Sequence, residues 1–170
     1  MKCILKVIIL MLVLAILCGC VKTNITEDPN ADDNKKLTCT LEILCDTLLG
    51  KLDQMTEEKA ALVPENGILL ETVEVEFADG ESVFDVFRRV LREEKIHFEY
   101  IDASAYNSVY IEGIGNIYEF DCGSQSGWMY SVNGVYPGLG CSAYTLADGD
   151  VIVFNYTCDL GVDLGAEYEE

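Results

Sequence analysis

Apolar and polar positions change their period several times along these 170 residues, and each change predicts an element. Val7 to Leu17 is an unbroken apolar run of eleven residues, shorter than the roughly 20 that a membrane span needs. Residues 21–37 then have almost no apolar content and include Pro29, a composition that cannot bury enough surface to fold and predicts a flexible tether. From Thr38 to Cys45 the chain reads as a strand, with Leu41 and Ile43 on one face. Leu48, Leu49, Leu52 and Met55 follow at helical spacing and predict a short helix. Thr72 to Phe77 alternates strictly, Val73, Val75 and Phe77 against Glu74 and Glu76, so one face is buried and one is wet.

Asp79-Gly80 is a turn signal, and Ser82 stands as an N-cap with Asp85 three residues on as the capping acid. The helix predicted over Val83–Glu94 puts Val83, Phe84, Phe87, Val90 and Leu91 on one stripe and Arg88, Arg89, Arg92, Glu93 and Glu94 on the other. Such a helix is built to lie on a sheet. Further short strands are predicted after Lys95, on either side of Gly113–Asn116, and over Val151–Cys158. Short strands around one long amphipathic helix predict an α+β fold, a sheet with the helix on one face.

The richest stretch is Ser126–Tyr144, with one Trp and three Tyr. Asn133-Gly134 is a strong hairpin signal, because a type I′ turn needs positive φ at both central positions. That loop pairs Val132 with Val135, Ser131 with Tyr136 and Tyr130 with Pro137. Trp128, Tyr130, Val132 and Val135 then share one face, expected to pack under the helix, while Met129, Ser131 and Tyr136 share the other.

Composition adds a compartment. Lys2 and Lys6 before the apolar run, and small residues after it, make a processing signal. Leu17-Cys18-Gly19-Cys20 resembles the bacterial lipobox, which implies that Cys20 is lipidated and becomes the new N-terminus. The folded part is therefore expected to be extracytoplasmic, lipid-anchored to the bacterial cell membrane. Removing residues 1–19 takes away two Lys and no acid, deepening the formal net charge from −19 to −21. That field repels nucleic acid and anionic lipid as partners.

Five cysteines follow Cys20, namely Cys39, Cys45, Cys122, Cys141 and Cys158. In an exported chain the default is disulfides, and an odd count leaves one over. Cys39 and Cys45, about 20 Å apart along one strand, cannot bond to each other. Cys45 with Cys158 is the first candidate pair, and Cys122 and Cys141 are the other candidates. No CxxC spacing exists and the chain has one His, so no metal site is expected.

Catalytic signals are weak. Asp148-Gly149-Asp150 before a strand reads as turn chemistry rather than calcium. Gly123–Gly127 has Gln125 where a GxSxG nucleophile elbow needs Ser. His97, beside Glu94 and Lys95, reads as a surface residue. The expectation is a protein that is not an enzyme.

"GESVFDVFRRV", "YIEGIGN", "SGWMYSVNGVYP", "SAY" and "LADGDVIVFNY", in that order, resemble the transcobalamin-like C-terminal domain family. The resemblance covers Thr72 to Thr157 and implies a small β-grasp-like mixed sheet with one helix packed on it. In the animal cobalamin carriers of that family the module caps one face of a corrin ring while a separate helical barrel supplies the other, and no barrel exists in this sequence. The expected organisation is a signal peptide (1–19), a lipidated Cys and acidic linker (20–37), an N-terminal strand and short helix (38–71), the transcobalamin-like domain (72–160) and an acidic tail (161–170). The expected function is non-catalytic binding of a flat or extended ligand, a corrinoid or a glycan. Cobalamin would be a bound ligand rather than a cofactor. Tyr136, Met129, Ser131, Pro137, Gly138 and Trp128 are the candidate ligand-binding residues. The alternative is a protein–protein interaction or adhesion scaffold.

Overall fold

The structure, a computed structural model, describes residues 36–103 and 108–166. The expected signal peptide, Cys20, most of the linker and the end of the acidic tail lie outside the described residues. Strand β1 (Leu37–Leu44) follows from alternation: Cys39, Leu41 and Ile43 are at most 2% exposed, and the positions between them are half-buried. It pairs antiparallel with β2 (Ile68–Phe77) and parallel with β7 (Val151–Thr157). β7 pairs in turn with β6 (Gly127–Val132), giving a four-stranded mixed sheet in the order β2-β1-β7-β6. β1 is thus a central strand of the domain, and the expected boundary at 71/72 falls inside β2.

Parallel neighbours need a long crossover, and the chain between β2 and β7 provides it. Helix α2 (Val83–Glu93) opens that connection with both halves of a capping box: the Asp85 N–H donates to Ser82 Oγ at 3.2 Å, and the Ser82 N–H to the Asp85 carboxylate at 3.1 Å. Its stripe of Val83, Phe84, Val86, Phe87, Val90 and Leu91 is buried, each large side chain contributing about 1.5–3 kcal/mol by leaving water. Phe87 meets Phe154 of β7 at 4.5 Å between ring centroids, which fixes the helix on the sheet. The fold is α+β, as the periodicity predicts.

One expectation needs correction. Leu48 to Met55 is not one helix but two 3-10 turns, Asp46–Leu48 and Leu52–Gln54, ahead of a single α-turn, α1 (Glu57–Ala60). Gly50 sits between the turns, and a segment this short cannot offset the cost of nucleation. Leu48 and Met55 are buried, whereas Leu49 and Leu52 are exposed.

The strands divide between two sheets. β3 (Phe98–Ala103), β4 (Ser108–Ile114) and β5 (Ile117–Tyr118) make a separate antiparallel meander in the order β3-β4-β5. Gly115 and Asn116, with φ of 61° and 64°, turn β4 tightly into β5. Phe120, at φ 66°, then swings the chain away before β5 can lengthen.

Candidate functional site

β6 is the edge strand of the four-stranded sheet, and its free side faces β4 across a gap that side chains only partly fill. A cavity of about 300 Å³ opens there. Trp128 and Met129 of β6 and Tyr110 of β4 line one part of it, and Phe120, Ser126, Thr157 and Leu160 are among the residues that line the rest. A smaller cavity of about 140 Å³ continues past Tyr130, Gly140 and Cys141, and it shares Tyr110, Trp128 and Met129 with the first. Together they make a mostly apolar groove along the β6 edge. Phe120 and Leu160, each 61% exposed, stand at its mouth.

Each wall has a local cause. Phe120 is turned outward by its positive φ, and its N–H donates to the Ser126 carbonyl oxygen at 3.0 Å. Gly123, at φ 102°, closes the turn between them. Ser126 is only 4% exposed, and its hydroxyl is engaged with the Cys122 N–H, the Gly123 carbonyl oxygen and the Tyr156 hydroxyl. Through these bonds it ties the turn to Tyr156 of β7. On the opposite wall the Tyr110 hydroxyl hydrogen-bonds the Glu119 carboxylate. Burial and that carboxylate raise the phenol pKa, so Tyr110 stays a neutral donor.

The far wall is a loop wedged against β4. The Tyr130 hydroxyl donates to the Leu139 carbonyl oxygen at 2.8 Å, and the Val109 N–H donates to Ser142 Oγ at 2.9 Å. A Cβ added to Gly140 would lie 1.4 Å from Ser108 Oγ, so the close approach made by this glycine is to β4.

Of the ligand-binding candidates, Trp128 and Met129 line both cavities. Ser131, Tyr136, Pro137 and Gly138 line neither. Asn133 and Gly134 do form the expected turn, with φ of 54° and 83° and reciprocal Val132–Val135 hydrogen bonds of 2.9 and 3.0 Å. Beyond Met129 the second face of the hairpin is closed, however: Ser131 is 4% and Tyr136 7% exposed, and Asn155 Nδ2 donates to the Tyr136 hydroxyl at 3.3 Å. Trp128 is also largely buried, at 7%.

Tyr110, Phe120 and Leu160 were missed by the sequence reading. Tyr110 left one signal, an aromatic between Val109 and Ile111 in a strand, apolar on both faces and therefore contacted on both.

The remaining chemistry is quiet. Burial pushes the Cys39 thiol up to about 11 and those of Cys45 and Cys141 to about 12. His97 is exposed, with Nε2 3.6 Å from Glu99. Asp148 and Asp150 build the turn before β7: Asp148 accepts from the Thr38 N–H, and Asp150 from the Ala147 N–H and the Asn133 amide. Among the described residues no group of three His, Cys, Asp or Glu could hold a metal ion, and no helix is long and apolar enough to cross a membrane.

Comparison with known proteins bears on this groove through the fold. Residues 80–158 match the family model described as a domain of unknown function, DUF4430. That is just under half of the chain. Haptocorrin in complex with Cbi is similar to 74% of this chain, with a TM-score of 0.51 and 13% identity. This shows a fold relationship to a transcobalamin-type protein. The chain spans only 26% of haptocorrin. A protein of Ruminococcus gnavus ATCC 29149 with a provisional metal-binding name is similar over 72% of this chain and 97% of its own, at 14% identity and a TM-score of 0.42. No curated protein matches the sequence.

Proposed function

We propose that this chain is an extracytoplasmic lipoprotein, anchored by a lipid on Cys20, whose β-grasp-like module binds a flat, apolar-faced ligand without catalysis. A corrinoid is the first candidate. The observation that carries the reading is the groove along the free β6 edge, apolar on its floor and flanked by Tyr110, Met129 and Phe120. Ligand sites are typically concave, apolar and equipped with a few fixed polar groups, and here Tyr110 is such a group. The fold relationship to haptocorrin supports the corrinoid as the first ligand to test.

Size sets the expected strength. About 300 Å³ is at the small end of ligand pockets. A corrin ring would be covered on one face only, so the affinity expected of the isolated module is weak, roughly micromolar or poorer. The acidic surface disfavours anionic ligands. Non-catalytic action is supported by the raised thiol pKa values, the exposed His97 and the engaged hydroxyl of Ser126.

The test is calorimetric titration of cobinamide and cobalamin into residues 21–170. A saturable isotherm that weakens in Met129→Ala, while the variant still melts cooperatively above the titration temperature, supports the reading. Absence of heat at high micromolar ligand rejects the corrinoid. A second reading, a protein-interaction scaffold, is favoured by Ile101 and Tyr110, which face each other across β3 and β4 at 50% and 43% exposure. In that case the chain would capture a protein partner and ignore corrinoids.

A further inference from the structure

A groove selects its ligand through the polar groups it leaves free, and the side-chain donors in the walls of this one are already engaged inside the protein. The Trp128 indole N–H donates to the Ile117 carbonyl oxygen at 2.9 Å, and the Tyr130 hydroxyl to that of Leu139 at 2.8 Å. Ser126 donates to the Gly123 carbonyl oxygen at 2.9 Å, and Thr157 to the Asp163 carboxylate. The five cysteines of the described residues are free thiols, so the expected pairing of Cys45 with Cys158 is not found. Cys141, which lines the smaller cavity, directs its thiol at the Val109 carbonyl oxygen at 3.8 Å.

What remains is acceptors. No Lys, Arg or His lines either cavity. The two lysines that reach the surrounding turn and loop are paired, Lys59 with Asp121 at 2.9 Å and Lys51 with Asp163 at 3.9 Å. Tyr110 lines both cavities and donates its hydroxyl proton to one carboxylate oxygen of Glu119, which leaves the phenol oxygen with acceptor capacity alone. The other Glu119 oxygen has no hydrogen-bond partner among the described residues. Glu119 is half-buried and is fixed beside β4 by its N–H, which donates to the Glu112 carbonyl oxygen at 2.9 Å. A Cβ at Gly127 would lie 3.6 Å from Glu119 Cβ and 3.9 Å from the Tyr110 hydroxyl, so this lining residue, having no side chain, leaves the pair open to the cavity. Ser124 and Gln125, exposed at the mouth, offer donors and acceptors alike, as does the main chain of the free β6 edge, and neither favours one charge.

We propose that Glu119 is the specificity-determining residue of the groove, which takes an apolar ligand carrying an N–H donor, an ammonium above all, and rejects the carboxylate counterpart. The inference rests on the groove being a ligand site and holds whichever ligand occupies it. An ammonium meets Glu119 in a charge-assisted hydrogen bond, the stronger class, and the Tyr110 oxygen accepts a second proton of the same group. A carboxylate finds no cation in the lining, no free side-chain donor in the walls and a like charge beside it. The apolar walls lower the local dielectric and widen the difference.

The test uses three probes that share one ring system: 1-naphthylmethylamine, 1-naphthylmethanol and 1-naphthylacetate. Each is titrated into the full chain at neutral pH and physiological salt, which screens the long-range field of the acidic surface, and is followed by the amide NMR signals of Gly127, Trp128 and Met129. The amine should bind roughly fivefold more tightly than the alcohol, and the acetate least tightly. Glu119→Gln should remove the advantage of the amine and leave the affinity for the alcohol unchanged. Glu74→Gln, which neutralises an exposed carboxylate on β2, should change neither. An amine no tighter than the alcohol, an acetate as tight as the amine, or an equal loss in the two variants overturns the proposal while the groove stands as a ligand site. If none of the three probes shifts the lining signals, the groove reading itself falls, and this proposal with it.

Discussion

The indole Nε1 of Trp128 donates to the Ile117 carbonyl oxygen at 2.9 Å, a bond that joins β6 of the four-stranded sheet to β5 of the meander. The same ring stands edge-on to Tyr156 at 5.2 Å. Trp128→Phe keeps much of the apolar contact but leaves the Ile117 carbonyl unsatisfied, at an expected cost of about 1–3 kcal/mol. Trp128→Ala also opens a cavity and should cost about 3–5 kcal/mol. Urea unfolding followed by circular dichroism measures both. A loss below about 0.5 kcal/mol for Trp128→Phe, the range of neutral surface changes, would mean that other contacts hold the sheets together.

Tyr136 and Met129 separate packing from binding. Tyr136 is 7% exposed, so Tyr136→Ala should cost about 3–5 kcal/mol, as for other large buried aromatics. Met129 is half-buried and lines both cavities. Met129→Ala should cost less, about 2 kcal/mol, because its side chain is only partly buried, and should lower cobinamide affinity several-fold. The reverse pattern would move the site from the β6 edge to the hairpin.

Gly140 and Gly50 make a matched pair. A Cβ at position 140 would meet Ser108 Oγ at 1.4 Å, Ser108 Cβ at 2.8 Å and the Val109 carbonyl oxygen at 3.1 Å. The serine hydroxyl can rotate but the backbone oxygen cannot, so Gly140→Ala should destabilise by about 1–3 kcal/mol through overpacking. Gly50 has nothing within 4 Å of such a Cβ. Gly50→Ala should be neutral or stabilising by up to about 1 kcal/mol, through reduced freedom of the unfolded chain. Melting temperatures of the two variants should move in opposite directions or differ by several degrees.

Acid should weaken the fold through Asp163. Its burial alone would raise the carboxyl pKa, but the Thr157 hydroxyl, the Cys158 N–H and Lys51 outweigh burial and hold it below the usual carboxylate range. A depressed folded-state pKa contributes stability that is fully present above the unfolded value of about 3.9 and is lost as pH falls through the folded value. Glu81 is lowered in the same direction by Arg89, and Asp85 by Ser82. The urea midpoint should therefore fall below about pH 4, and more gently in Asp163→Asn than in the wild type. Parallel curves would show that Asp163 does not contribute.

Local periodicity was enough for the parts of this protein that rest on neighbouring residues. The shared face of Leu41 and Ile43, the apolar stripe of α2, the Ser82–Asp85 capping box and the Asn133-Gly134 turn are all written within a few positions of one another, and each formed as read. Trp128 was legible as core for the same reason, lying on the apolar face of a strand beside a turn. Other features depend on residues far apart in the chain, and only the tertiary structure decided them. β1 became central because it pairs with β7 more than a hundred residues away. Tyr136 and Ser131 became buried because strand period says that a face exists, not what covers it. The groove gathers Tyr110, Phe120, Met129 and Leu160 from four separate segments of the chain. A period along the chain carries no record of such meetings; chain reversals and sheet pairing create them.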